Sequence, residues 1–353
     1  MQQLAEHGGM SMLNEKYLMS GETSPFLPGT KIQYAYDSTC LGLIKSCPRL
    51  YQYTIIDGWA SKDESVHLTF GIHYHAALQN YDIAKANGAS HDEAMHSAIT
   101  QAMHDIEGWE VDRDSKAGKY KNPETLISLV VDYLDHYKDD PAETYIKSDG
   151  TAAVELSFRF ELDWGPEAGQ RDISHLDLDT PAGMSAANTA NQPYLLSGHL
   201  DRVINFNDNL FVLDHKTTTT TLSDYYFNQY EPSNQMTLYS LAGATVLDAP
   251  IKGVCISGAQ IMLNDPHRFV RRFTYRTPDQ LDEWLMDLRF HLANAEHYAT
   301  VEYWPMNDVS CDKFGGCKFR GVCSKSPQVR EMFLKTDFVK LEEDARWNPL
   351  RSR

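Results

Sequence analysis

Apolar residues in the first third of the chain recur at helical spacing. In "LTFGIHYHAALQNYDIAKANG" they return every three or four positions, which predicts a helix ending at Asn-Gly. "STCLGLIKSCPRLYQY" predicts a short helix that stops near Pro48, and "SHDEAMHSAITQAMHDIEGW" a helix opened by a Ser90–Glu93 capping box. A further helix is expected over 123–138. The period then changes to two: "AAVELSFRFELDW" alternates and reads as a strand. Residues 165–193, rich in Gly, Pro, Asp, Ser, Ala and Asn, read as a long loop or insertion. In "LLSGHLDRVINFNDNLFVLDHKTTTT" two apolar, β-branched runs flank a polar turn near Asn207 and Asp208, a hairpin signal. "SNQMTLYSLAGATVL" then predicts a helix, "IKGVCISGAQIML" and "HRFVRRFTYR" strands, and "TPDQLDEWLMDLRFHLANAEHY" a helix with Thr277 as N-cap and Pro278 first. Helices followed by a mixed sheet with helices between its strands predict an α/β core. Residues 1–30 read as a weakly ordered extension and 326–353 as a polar, peripheral tail.

Composition narrows this picture. The chain has 353 residues, 42% of them hydrophobic, enough for one large domain or two ordinary ones. No stretch approaches the roughly 20 apolar residues of a membrane helix. The N-terminus lacks a basic start and an apolar core, so a cytoplasmic protein is expected. A formal net charge of -17 argues against a broadly basic nucleic-acid coat. Basic residues cluster at Arg268, Arg271, Arg272 and Arg276, and at Lys313, Lys318, Arg320 and Lys325. These are either solvated patches or a local basic groove.

The hairpin carries the candidate chemistry. Asp201 and Asp214 lie about equally far from the turn, so the hairpin sets them opposite or diagonal to each other. Asp214 and Lys216 are two apart and share a strand face. Two neighbouring carboxylates repel unless a cation sits between them. Mg²⁺ or Mn²⁺, which favour oxygen ligands, would do so, with Lys216 aligning or deprotonating a water. The plainer alternative is a structural Asp–Lys pair at a sheet edge.

Six cysteines stand at 40, 47, 255, 311, 317 and 323. Cys311, Cys317 and Cys323 are each separated by five residues, wider than the usual zinc spacing. Three such thiolates among Gly and basic residues suit a loop wrapped around an iron–sulfur cluster. A Zn²⁺ knot and plain buried cysteines are the alternatives. Cys255 reads as a small buried side chain in a core strand.

"SGHLDRV…FVLDHKTT…QMTLY" resembles the PD-(D/E)XK nuclease superfamily, especially its RecB-type exonucleases. The family's Gly-x-x-Asp strand, Asp-x-Lys strand and Gln-x-x-x-Tyr helix would be Gly198 with Asp201, Asp214 with Lys216, and Gln235 with Tyr239. "FGIHYHAAL" resembles the helix that supplies a metal-binding histidine, which points to His75 over its neighbour His73. "VELSFRFEL" resembles a strand bearing an acid of the same site, which points to Glu155, with Glu161 the alternative. "SCPRLYQY" is similar to the Cys-Pro-Arg segment of members with a 4Fe–4S cluster, including AddB-type subunits and the CRISPR-associated exonuclease. It makes Cys47 the fourth ligand beside Cys311, Cys317 and Cys323, with Cys40 the alternative. The usual Cys-x-x-Cys pair is absent here. Closing a loop of such length is where a metal clip should help folding most.

The resemblance spans Cys47 to Cys323. It implies a restriction-endonuclease-like mixed sheet flanked by helices. One nuclease domain would cover 31–325, with a helical part over 31–145, a catalytic core over 150–300 and a cluster segment over 301–325. The implied protein is a Mg²⁺- or Mn²⁺-dependent DNA exonuclease of recombination, repair or phage DNA processing, acting on single strands or strand ends, with a possible helicase partner. Its metal would be held by His75, Asp201, Asp214 and the His215 carbonyl. Lys216 would act on the water, and Gln235 and Tyr239 would position the strand. A DNA-end-binding subunit of a larger complex is the alternative.

Overall fold

The computed structural model describes residues 10–12, 24–63, 65–162, 179–180, 192–313 and 316–351. The loop expected over 165–193 lies almost wholly outside them, as does most of the extension over 1–30. In chain order the strands are β1 (Met10–Met12), β2 (Ala35–Tyr36), β3 (Trp59–Ser61), β4 (Glu143–Thr144), β5 (Val154–Leu162), β6 (Leu195–Phe206), β7 (Asn209–Thr218), β8 (Ile251–Gln260), β9 (Arg268–Thr274) and β10 (Phe338–Lys340). The longer helices are α1 (Ser38–Ser46), α2 (Val66–Ala86), α3 (His91–Asp105), α4 (Pro123–His136), α5 (Asn234–Leu247), α6 (Pro278–Thr300) and α7 (Arg330–Asp337).

Local chemistry sets the helix ends. The Ser65 side chain caps α2, which runs out at Asn87 and Gly88, the glycine at φ +92°. Ser90 and Glu93 form the reciprocal capping box of α3. The Asn122 side chain accepts from Thr125 N, and Pro123 occupies the first turn of α4. Pro48 both ends one helix and starts another. α1 finishes at Ser46, and Pro48 opens a new turn, Pro48–Tyr51, that passes into a π-helical turn over Gln52–Ile56.

The chain forms two compact units interleaved along the sequence. The first comprises Met1–Asp63, Ser157–Gly198 and Pro278–Arg353; the second comprises Glu64–Leu156 and His199–Thr277. Strands β5 and β6 each carry residues of both.

The second unit is built on a mixed sheet. β6 pairs antiparallel with β7, from Arg202↔Leu213 to Phe206↔Asn209. β7 runs parallel to β8, and β8 antiparallel to β9. The turn is the two-residue one expected: Asn207 and Asp208 both have positive φ, +50° and +57°, which matches the twist of the flanking strands. Helices α2, α3 and α4 cover one face. Phe70, Tyr74, Leu78, Ala98, Leu129 and Tyr133 form a buried core there with Ala259 and Ile261. Helix α5 covers the other face. Its Gly243 lets the backbones approach so closely that a Cβ would meet Val212 Cγ2 at 2.8 Å.

The first unit contains α6 and a core of Tyr53, Trp59, Phe319, Val322, Leu334 and Phe338. Its last segment departs from the peripheral tail that polarity suggested. Residues from 330 form α7 and then β10, which pairs with β3 over Phe338↔Ser61 to Lys340↔Trp59. Two apolar side chains, Leu334 and Phe338, suffice to bury the inner side of an otherwise polar stretch.

Candidate metal and catalytic site

The site forms where β6 leaves β7. Their pairing stops at Arg202↔Leu213. One step further, Asp201 faces Asp214, as the hairpin register required. Past that point the His215 peptide lacks a partner from β6, and side chains replace it. His215 N–H donates to Asp201 Oδ2 at 2.9 Å, and His75 Nε2 donates to the His215 carbonyl at 3.0 Å. His75 projects from α2, with Nδ1 3.2 Å from Asp201 Oδ2. Both ring nitrogens therefore face acceptors, which suits an imidazolium. Burial alone would lower the His75 pKa, but Asp201 outweighs it and raises it.

Asp201 and Asp214 are driven apart electrostatically. Burial acts to raise Asp201, yet His75, His215 and Lys216 prevail and hold it well below the usual carboxylate range. Asp214 is raised, by burial first and by Asp201, against the pull of Lys216. Glu155 on β5 joins His75 and Asp201. One ligand atom from each of the three lies within 4.8 Å of the others. Glu155 sits at φ +49°, outside the normal strand region.

Asp214 and Lys216 face α5, away from the His215 ring. Lys216 Nζ donates to Asp214 Oδ1 at 3.1 Å and lies 2.8 Å from Oδ2. The same ammonium donates to Gln235 Oε1 at 3.1 Å, and Gln235 Nε2 donates to the Tyr239 hydroxyl at 3.1 Å. Burial acts to strip the Lys216 proton, but Asp214 and Asp201 more than offset it and the pKa is raised. Lys216 is thus an ammonium held by Asp214 and Gln235. A divalent ion fits the gathered donors, the Glu155 and Asp201 carboxylates and the His75 imidazole, with the His215 carbonyl beside them and Asp214 the next residue before it on β7.

Of the alternatives left by the sequence, His73 turns away and packs on Trp109, with ring centroids 5.4 Å apart. Glu161 belongs to the other unit. Two features were missed. Arg202, beside Asp201, points to the helix side, where it pairs with Asp82 at 3.2 Å and donates to the Ala142 carbonyl at 3.0 Å. Arg271 is not part of a basic surface. It is half-buried and paired with Asp140 at 2.7 Å, with its guanidinium 3.8 Å from the Tyr137 ring. Arg276 is also engaged, donating to Thr237, Thr274 and the Tyr230 carbonyl. Of that basic run only Arg268 and Arg272 stay exposed.

The six cysteines sort into one group of four and two buried singles. Cys47 Sγ accepts from Asn307 N at 3.3 Å. The Cys311 thiol is raised by burial, then by Cys317 and Cys47. Cys323 is raised by burial and also feels Cys317 and Cys47. These four are electrostatic neighbours. Cys40 is fully buried in α1 beside Asp37 and Gln33, outside the group. Cys255 packs with Phe211 and Leu213 in the core, as expected.

A family model described as the PD-(D/E)XK nuclease superfamily matches residues 39–324. No curated protein matches the chain in sequence. Among solved structures, a crystal structure described as a "putative exonuclease" from Eubacterium rectale is similar over 86% of this chain and 92% of that one, at 11% identity and a TM-score of 0.44.

Proposed function

The chain belongs to the PD-(D/E)XK nuclease superfamily, and from that premise we propose that it is a Mg²⁺- or Mn²⁺-dependent DNA exonuclease of the RecB type. The observation that carries this reading is the opening between β6 and β7, where His75, Glu155 and Asp201 each bring a ligand atom within 4.8 Å of the others. Asp201, Glu155, Asp214, His75 and the His215 carbonyl would hold that ion. That ion would polarise a phosphodiester oxygen and acidify water. His75 would hold it as the neutral imidazole, its extra proton released to solvent. Lys216, kept charged by its acids, donates hydrogen bonds to the attacking water and to developing phosphate charge rather than acting as a free base. Gln235 and Tyr239 set the position of that ammonium.

Cys47, Cys311, Cys317 and Cys323 would hold a 4Fe–4S cluster that joins α1 to the C-terminal segment. The five-residue gaps between Cys311, Cys317 and Cys323 are wider than the usual zinc spacing, which favours a cluster with a thiolate at each corner.

One anaerobic preparation tests both parts. Wild-type protein should be coloured and should shorten end-labelled DNA with Mn²⁺. Asp214→Asn and Lys216→Gln should stay folded, bind DNA and fail to cut it. Cleavage by both variants at wild-type rate would overturn the mechanism, and DNA binding without cleavage by wild type would make the chain an end-binding subunit. A colourless preparation containing zinc would overturn the cluster.

A further inference from the structure

Asp214, Lys216 and Thr218 alternate along β7 and so share the face that looks toward α5. Lys216 is in register with Gly258 on the parallel neighbour β8. The absence of a side chain at Gly258 lets the segment after β7 fold back over that same face. A Cβ there would meet Leu222 Cδ2 at 2.7 Å and Phe227 Cζ at 3.3 Å. Leu222 N–H donates to Gln260 Oε1 at 3.3 Å, and the Ser223 side chain caps the single helical turn Asp224–Phe227. Arg276 donates to the Tyr230 carbonyl at 3.0 Å. The turn is thereby fixed against the sheet beside Lys216.

This placement brings a phenol to the site. Burial raises the pKa of the Tyr226 hydroxyl, Lys216 acts against that rise and Asp214 adds to it, so the hydroxyl lies in the field of both. Near neutral pH it is protonated and can donate. It shares one hydrogen bond with the Tyr230 hydroxyl at 3.2 Å, and the Thr218 hydroxyl approaches it too. Thr218 Oγ1 already accepts from Thr220 N–H at 2.9 Å. Three hydroxyls in a row have three protons and two mutual bonds, so one O–H is left to donate elsewhere. Tyr230 is buried, Tyr226 is half-buried, and the Lys216 side chain is 24% exposed. The surplus donor therefore lies at the outer end of the row. An anionic oxygen beside Lys216 would select the arrangement in which Tyr230 and Thr218 donate to the phenol oxygen and Tyr226 donates to the anion.

We propose that the Tyr226 hydroxyl is a further substrate-binding group, donating a hydrogen bond to the phosphate next to the scissile one in a DNA strand. The assignment rests on the nuclease reading and deepens it. Asp214 and Lys216 serve the reacting phosphate. Thr218 and the phenol stand one strand step beyond, about 6–7 Å further along β7, where the next phosphate of an extended strand would pass. A neutral hydroxyl suits that place, because it binds an anion without competing for the metal.

The test compares wild type with Tyr226→Phe and Tyr230→Phe. Both variants keep the ring and break the same phenol–phenol bond, so both should lose the same small increment of melting temperature. Affinity for fluorescent single-stranded oligonucleotides is read by anisotropy in chelator, where no strand is cut. Tyr226→Phe should weaken binding about tenfold or more, the loss of a hydrogen bond to a charged group. Tyr230→Phe should bind as wild type does. In Mn²⁺-dependent cleavage, Tyr226→Phe should raise KM by the same factor with kcat unchanged. A methylphosphonate is then placed at each phosphate near either strand end in turn. At the contacted phosphate it should weaken wild type and cost Tyr226→Phe nothing further. Equal weakening by both Phe variants, or additive losses at every methylphosphonate position, would make Tyr226 structural and end the proposal. A loss confined to kcat would put the hydroxyl on the reacting phosphate and overturn the assignment. The nuclease reading fails separately, by absence of Mn²⁺-dependent cleavage in wild type, while binding in chelator still reads the contact.

Discussion

Glu155 combines a carboxylate at the site with backbone strain, and the two can be separated. At φ +49° its Cβ crowds the following carbonyl, a cost of about 1–2 kcal/mol. Glu155→Gly removes that strain but gives the unfolded chain extra freedom, worth about 0.5–1 kcal/mol. The net expected gain is about 0.5–1 kcal/mol. Glu155→Gln keeps the strain and removes only the charge. Unfolding entropy of about 2 cal/mol/K per residue means that 1 kcal/mol moves Tm by roughly 1–2 °C in a chain of 353 residues. Thermal melting with a chelator should therefore place Glu155→Gly about 1 °C above Glu155→Gln. Mn²⁺ at a hundred times its Kd should stabilise wild type by about 2.7 kcal/mol, some 3–5 °C, and both variants clearly less. If Glu155→Gly melts below Glu155→Gln in chelator, the strain argument is wrong. If both variants keep the full Mn²⁺ shift, Glu155 is not a ligand.

Asp201→Asn should abolish cleavage, measured on end-labelled DNA, and should flatten the pH dependence of metal-free stability. Because the His75 pKa is raised in the fold, its contribution is complete below the ordinary value of 6.5 and is lost as pH rises through the folded value. The wild-type melting temperature in chelator should fall over that range, and a flat profile would sever the His75–Asp201 link. Cys317→Ser should lose the visible absorbance of the preparation and reduce its soluble yield, with an equally stable, equally coloured variant as the refuting result. Gly198→Ala would place a Cβ 2.7 Å from Cζ of the buried Phe158, which stacks on Phe160 at 5.6 Å. Overpacking of that kind costs about 1–3 kcal/mol, read as a lower melting temperature.

The hairpin was legible because period and turn chemistry agreed. Two β-branched runs around Asn207 and Asp208 fix the register, and the register alone brings Asp201 opposite Asp214. Helix ends were legible at Ser90–Glu93 and Asn122–Pro123, where caps are local. What a sequence does not state is where two paired strands part. That divergence frees the His215 peptide, admits His75 and Glu155, and leaves Asp214 hydrogen-bonded to Lys216. Arg271 was misread for a related reason. Its partner Asp140 lies 131 positions away, so a run of arginines looked solvated when one of them was anchored in the interior.

The order of the units along the chain has a consequence for biogenesis. Cys47 is made before any part of the second unit, and Cys311, Cys317 and Cys323 after all of it. A ribosome therefore delivers His75, Glu155, Asp201 and Asp214 while Cys47 still waits for its three companions. On the proposed reading the thiolate cluster would be assembled last, and a nascent molecule released early, or trimmed from its downstream end, would carry the acidic pocket without the clasp.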